Sequence, residues 1–223
     1  MPGTILSRCQ WVSFRPLPEE FVAAKLAEVL KSPAVGPRGR AVARPTVSAE
    51  EAAFVCRFAG GSIEQAARLA GVGLWDLKRA LVARLPQLDE AAAFDLSGLI
   101  NKWAAARAKA ECETSESREE TALRRTAFRT ALAAVMTALR DAILVRVGAA
   151  KDVPLVNRDQ REVIDVLAEW PEDTLVRAVG LVAGAQAEIV RYVHIDLATE
   201  NAFVQMSRLA GVQGSRKSTL AAR

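Results

Sequence analysis

The chain has 223 residues, 51% of them apolar and 25% charged, with 13 glycines and 9 prolines. That composition excludes collagen-like, coiled-coil and disordered classes, and the length allows a core that needs no staples. Thirty basic residues against 26 acidic ones give +4. The two signs are interleaved apart from a short basic tail, so a mixed solvated surface is the default, and nucleic-acid contact is permitted but not required.

Aromatic residues make up only 5% of the chain, and alanine and leucine dominate the apolar set, which suits packed helices better than sheets. The three cysteines, Cys9, Cys56 and Cys112, are far apart and form no CxxC pair, and His194 is the one histidine. No closed zinc site is expected from such a set, and a reducing compartment fits it. No apolar run reaches the ~20 residues of a membrane span. MPGTILSRCQ lacks the basic start and apolar stretch of a signal peptide. The expectation is a cytoplasmic chain with no membrane partner.

In chain order, Gln10 to Phe14 alternates apolar and polar residues and predicts one short strand, ended by Pro16 and Pro18. Pro18-Glu19-Glu20 opens a helix through about Leu30. Residues 31–47, with Pro33, Gly36, Pro37, Gly39 and Pro45, predict a loop. Ser48-Ala49-Glu50-Glu51 and Ser62-Ile63-Glu64-Gln65 are capping boxes. They start a helix running into Gly60-Gly61 and a short one stopping near Gly71 and Gly73. A third covers Leu74 to Leu85. Long alanine-rich helices follow over about 89–112 and 117–147, the second capped by Ser117 with Glu120. Asn157 with Gln160 predicts a cap for a helix through Trp170, Pro171 starts the next through about Val193, and a last one spans Leu197 to Leu209. The remainder is small, polar and basic, and is expected to be disordered.

The chain carries no GxxxxGK[ST], GxGxxG, HExxH or GxSxG motif, and its carboxylates sit in caps and helix faces. No catalytic site is expected within it. Ser62 to Val72 followed by Leu74 to Leu81, with small Ala67 and turn residue Gly71, has the pattern of a helix-turn-helix. A recognition helix there offers Asp76, Lys78, Arg79 and Arg84 to a DNA groove. Any tight helix pair, however, needs a small residue and a turn glycine.

Gly3-Thr4-Ile5-Leu6-Ser7-Arg8-Cys9-Gln10, continuing through Phe14 to Pro16-Leu17, resembles the PTILSRCQ-x-x-x-F-x-PL passage of bacterial clamp-loader subunits, of the DNA polymerase III delta-prime and tau/gamma type. Phe58-Ala59-Gly60-Gly61-Ser62 is similar to the A-x-G-S stretch of their helical lid. There an arginine follows Gly-Ser by two or three residues, whereas here those places hold Glu64 and Gln65. Ala138 to Leu144, Asn157-Arg158-Asp159 and Arg191 to Asn201 are similar to the delta-prime collar. In the last of these Tyr192 and His194 replace asparagines and Thr199 replaces a leucine.

This resemblance implies a mainly α fold with one short N-terminal strand. Residues 1–17 are the end of an AAA+ core carrying Ser-Arg-Cys, 18–86 a three-helix lid, 87–211 a larger all-helical collar, and 212–223 a disordered basic tail. The phosphate loop, acidic metal motif and zinc site that precede Ser-Arg-Cys in the family are not in this sequence, which reads as a truncation, a mis-assigned start or the second half of a split gene. The resemblance implies that Arg8 acts in trans on ATP held by a neighbouring subunit, with Ser7 and Cys9 positioning its turn and Gly61-Ser62 marking the lid's sensing position. The chain itself then binds no cofactor. Its implied partners are the tau/gamma and delta subunits, with the sliding clamp and primed DNA reached through the complex. Helices such as 123–147 and 175–193 have the composition to hold the pentamer together. A helix-turn-helix regulator and a tau/gamma fragment remain the alternatives.

Overall fold

Two serines begin helices as their capping boxes predict. Glu51 N donates to Ser48 Oγ at 3.1 Å, and Gln65 N donates to Ser62 Oγ at 3.2 Å. Each bond satisfies an amide that the first helical turn leaves without a partner. A computed structural model of the chain describes residues 15–32, 34–35, 41–42, 45–114, 119–191 and 194–221, with backbone alone for 34, 35, 41, 42, 114 and 211–221. The protein is mainly α-helical. Among the described residues the helices are α1 (Glu19–Lys31), α2 (Ala49–Phe58), α3 (Ile63–Leu69), α4 (Leu74–Arg84), α5 (Glu90–Thr114), α6 (Glu120–Arg146), α7 (Arg161–Leu167), α8 (Glu172–Val190) and α9 (Ile195–Ala221). The expected strand over residues 10–14 lies outside the described residues.

Several boundaries differ from the sequence reading. The stretch 31–47 contains a minimal antiparallel pairing of Ala34–Val35 (β1) with Ala41–Val42 (β2). Helix α6 starts at Glu120 with Glu119 at its N-cap; Ser117, expected to cap it, lies outside the described residues. Asn157 caps nothing, because its amide is drawn to a buried carboxylate (below), and α7 begins only at Arg161 and ends at Leu167. The backbone of α9 continues helically to Ala221, past Leu209 and through the stretch expected to be disordered, with no proline to stop it.

The four long helices α5, α6, α8 and α9 pack in that cyclic order as an up-down-up-down bundle. Glu90 pairs with Arg208 at 3.6 Å, and Arg124 reaches both Asn101 and Asp196, which sets α5 and α9 antiparallel. Helix α6 is central. Phe128, Leu132 and Leu139 are fully buried on it, with Ala127, Ala131, Ala134 and Ala138 buried beside them. The small residues let neighbouring helices close in, and each large one stabilises the fold by about 1.5–3 kcal/mol.

Helices α1–α4 form a smaller group, in which Val22, Leu26, Phe54, Val55, Leu74 and Leu81 are buried together. Its buried cluster is continuous with that of the long helices, running from Val22 to Met206 across Leu85 and Leu88. The two groups therefore share a core across position 87. Among the described residues no helix is long and apolar enough to cross a membrane.

Candidate functional site

Gly61 sits in the turn between α2 and α3 at φ +89°, a conformation that glycine adopts at no steric cost. A Cβ there would stand 2.6 Å from the Leu17 backbone nitrogen and 2.8 Å from Pro16 Cβ. The chain entering α1 is thus seated directly on the Gly60-Gly61 turn. Two of the passages that carry the family resemblance, one ending at Leu17 and the other spanning Phe58 to Ser62, are in contact here. Arg8, Ser7 and Cys9 lie outside the described residues.

Ser62 uses its hydroxyl as the cap of α3, and Glu64 and Gln65 are exposed on that helix. They line a cleft of about 290 Å³ with Arg68, Trp103, Arg107, Glu111, Thr126 and Thr130. Arg107 is paired with Glu111 at 3.0 Å. Trp103 closes one side by donating its indole Nε1–H to Val72 O at 3.0 Å. Glu64 and Gln65 bring a carboxylate and an amide to this side of the cleft. Arg68 lines the cleft one helical turn beyond Glu64.

The next turn is fixed by Gly71 at φ +70°, where a Cβ would collide with the Pro45 ring. Its N–H donates to Glu51 Oε1 at 2.8 Å. Helix α4 follows and carries the four residues that the helix-turn-helix alternative offers to a DNA groove. Asp76, Arg79 and Arg84 are exposed, but Lys78 is fully buried. Its Nζ donates to Asp159 Oδ2 at 2.6 Å and to Gln160 Oε1 at 3.2 Å. The ammonium also lies 4.7 Å from the Phe54 ring centre and 4.5 Å from that of Trp75, a favourable cation–π arrangement. Burial pushes the Lys78 pKa below the ordinary lysine value, against the opposing pull of Asp159. A side chain so enclosed cannot be offered to a DNA groove.

Lys78 belongs to a polar seam built on residues 154–160. Asp141, fully buried on α6, accepts from Val156 N at 2.9 Å, Asn157 N at 2.8 Å and Asn157 Nδ2 at 2.9 Å through one carboxylate oxygen. Its other oxygen takes Arg140 at 2.8 Å. Arg57 on α2 donates to Val156 O at 3.0 Å and to Glu19 at 3.2 Å, and Arg158 reaches the same Glu19 at 3.4 Å. The collar-like passages 138–144 and 157–159 thus meet each other and hold α1, α2 and α4 to the long-helix bundle. Sequence reading missed this use of Asp141, Asp159 and Lys78, because each finds its partner across many residues of chain. The one local signal is the grouping of polar residues at 157–160, which by its spacing has the pattern of a cap.

In the third collar-like passage, Thr199 is buried and donates back to Ile195 O at 3.0 Å, while His194 is exposed. Asp196 accepts from Arg124 at 2.9 Å, tying the start of α9 to α6. Tyr192 lies outside the described residues. Among the described residues no group of His, Cys, Asp and Glu side chains could hold a metal ion. No protein-family model matches this chain, and neither a curated protein nor a solved structure does.

Proposed function

We propose that this chain is the lid and collar portion of a delta-prime-type subunit of the bacterial DNA polymerase III clamp loader, working in the cytoplasm. Its task in this reading is assembly, together with a trans-acting arginine finger. The supporting observation is the seat at Gly61. The Ser-Arg-Cys passage and the Gly-Ser turn are far apart in sequence, yet Pro16 and Leu17 rest on Gly61. A lid that orients a finger needs the segment entering it to be held against its own turn, as Pro16 and Leu17 are held against Gly61.

Arg8 carries the chemistry. The phosphoryl group being transferred gains charge on its equatorial oxygens, and a planar, permanently charged guanidinium stabilises that charge. Where the neighbouring subunit holds ATP and the rest of the site, such a finger contributes about 10³–10⁵ in rate. The chain holds no nucleotide of its own in this reading. Glu64 and Gln65 stand where a sensing arginine is found in active members, which favours delta-prime over tau/gamma. The long-helix bundle supplies the faces for tau/gamma and delta, and exposed Phe94 on α5 and Leu197 on α9, 56% and 60% accessible, are apolar points for such contacts. The clamp and primed DNA are met through the assembled complex.

The test is reconstitution with tau/gamma and delta. Co-elution of the chain with both is expected. Arg8→Ala should leave assembly intact while sharply lowering the DNA- and clamp-stimulated ATPase at the site it completes. Absence of assembly, or ATPase activity indifferent to Arg8, would refute the proposal.

A further inference from the structure

Helix α8 has two apolar faces, and the described residues cover only one. Leu175, Ala178, Val182, Ala185 and Ile189 are buried, against α6 and α9. At about 100° per residue, the opposite side aligns Val176, Gly180, Gly184 and Ala187 in one row, with Asp173 and Arg191 at its two ends. All six are exposed. Val176 and its neighbour Val190 are 55% and 54% accessible. A Cβ built on Gly180 or Gly184 meets nothing within 4 Å. Among the described residues, neither glycine therefore makes room for another part of the chain, although glycine inside a helix is less stable than alanine. Two glycines one turn apart on an open face let the backbone of another helix come close.

The charges identify that helix. Asp173 and Arg191 lie nine residues to either side of position 182, the midpoint of the two glycines. Arg177 and Glu188 share one flank of the row, on opposite sides of the same midpoint, while Val176 and Val190 share the other. Two copies of α8 packed antiparallel about a two-fold axis at position 182 would set Gly180 against Gly184 of the second copy. Asp173 would meet Arg191, Arg177 would meet Glu188, and Val176 would meet Val190, each pair formed twice. A parallel pairing would instead set each charge beside its own copy. Self-complementarity of this kind is what a two-fold interface requires.

We propose that the outward face of α8 is a homodimer interface whose occupant is α8 of a second copy of this chain. This is a property of the chain alone and does not rest on the clamp-loader reading. Sedimentation equilibrium of the full chain over a dilution series tests it. The wild type should show a reversible monomer–dimer equilibrium. Gly184→Leu should weaken dimerisation about ten- to a hundredfold, with helical content and melting temperature undiminished because the new side chain enters open space in the monomer. Arg191→Asp should weaken it as well, and adding Asp173→Arg to that variant should restore it. A monomer at every concentration, a dimer insensitive to Gly184→Leu, or a charge exchange that fails to restore association would each overturn the proposal.

Discussion

Removing the partner of a buried cation is far more costly than removing the cation, and Lys78 lets the two be compared. Its side chain has no exposure, whereas that of Asp159 retains 15%. In Asp159→Ala the ammonium stays enclosed by Phe54 and Trp75, and Gln160 is its one remaining acceptor among the described residues. Stranding a charge in this way costs about 3–5 kcal/mol. At about 2–4 °C per kcal/mol for a chain of this size, the melting temperature should fall by about 6–20 °C. In Lys78→Met an apolar chain of similar length fills the aromatic pocket and the orphaned carboxylate turns to water, so stability should change by less than about 1.5 kcal/mol. The double variant should regain most of what Asp159→Ala loses. The sign with pH is also fixed. Because burial lowers the Lys78 pKa in the folded chain, the unfolded chain binds the proton more tightly, and the Lys78 contribution to stability must rise with pH between the lowered value and the ordinary one. That rise should be absent in Lys78→Met. Thermal melts followed by circular dichroism across the alkaline range give both readouts. Equal destabilisation by Asp159→Ala and Lys78→Met would refute this reasoning.

Three other outcomes are expected. Asp141→Ala strands the Val156 and Asn157 amides and the Asn157 side chain, and should cost about 3–5 kcal/mol in urea unfolding; a loss within 0.5 kcal/mol, about that of a surface change, would contradict the seam. Gly61→Val forces a side chain into the Pro16–Leu17 backbone and should cost at least about 1–3 kcal/mol. It should also speed proteolytic cleavage near residue 17, whereas Gly60→Ala, with nothing within 4 Å of its Cβ, should cost less and leave cleavage unchanged. Cys56 is buried, and burial, with Glu19 nearby, raises its thiol pKa; it should resist alkylation at neutral pH until the chain unfolds, as mass spectrometry of labelled peptides can check.

The helical class was legible because it rests on local signals. Ser48 and Ser62 cap where their spacing says they do; Leu123, Ala127, Ala131, Ala134 and Ala138, which recur at helical spacing on α6, are buried, and Ile143, which continues the row, is half-buried. The charged and polar residues were not legible in the same way. Lys78 reads as a surface lysine on an amphipathic helix, yet its fate is decided by Asp159, 81 residues further on. Asn157 reads as a cap, yet Asp141 on α6 takes its amide. A helix start is a choice made within four residues, whereas a buried polar partner exists only once the chain has folded. The small cleft is a similar case. Ser62 marked its rim from sequence, while Arg107 and Trp103, brought from α5, had no local sign. The Ser7–Arg8–Cys9 reading lies outside the described residues.

The seam at 154–160 has a consequence for how the molecule comes apart. One short connection is gripped by Asp141 from the bundle, by Lys78 through Asp159, and by Arg57 with Glu19 from the other end. It acts as a keystone: the smaller group cannot swing away while the larger one stays intact. The chain should therefore lose its structure in a single cooperative step, and a turn of the amino-terminal helices relative to the bundle requires breaking charged contacts rather than bending a hinge.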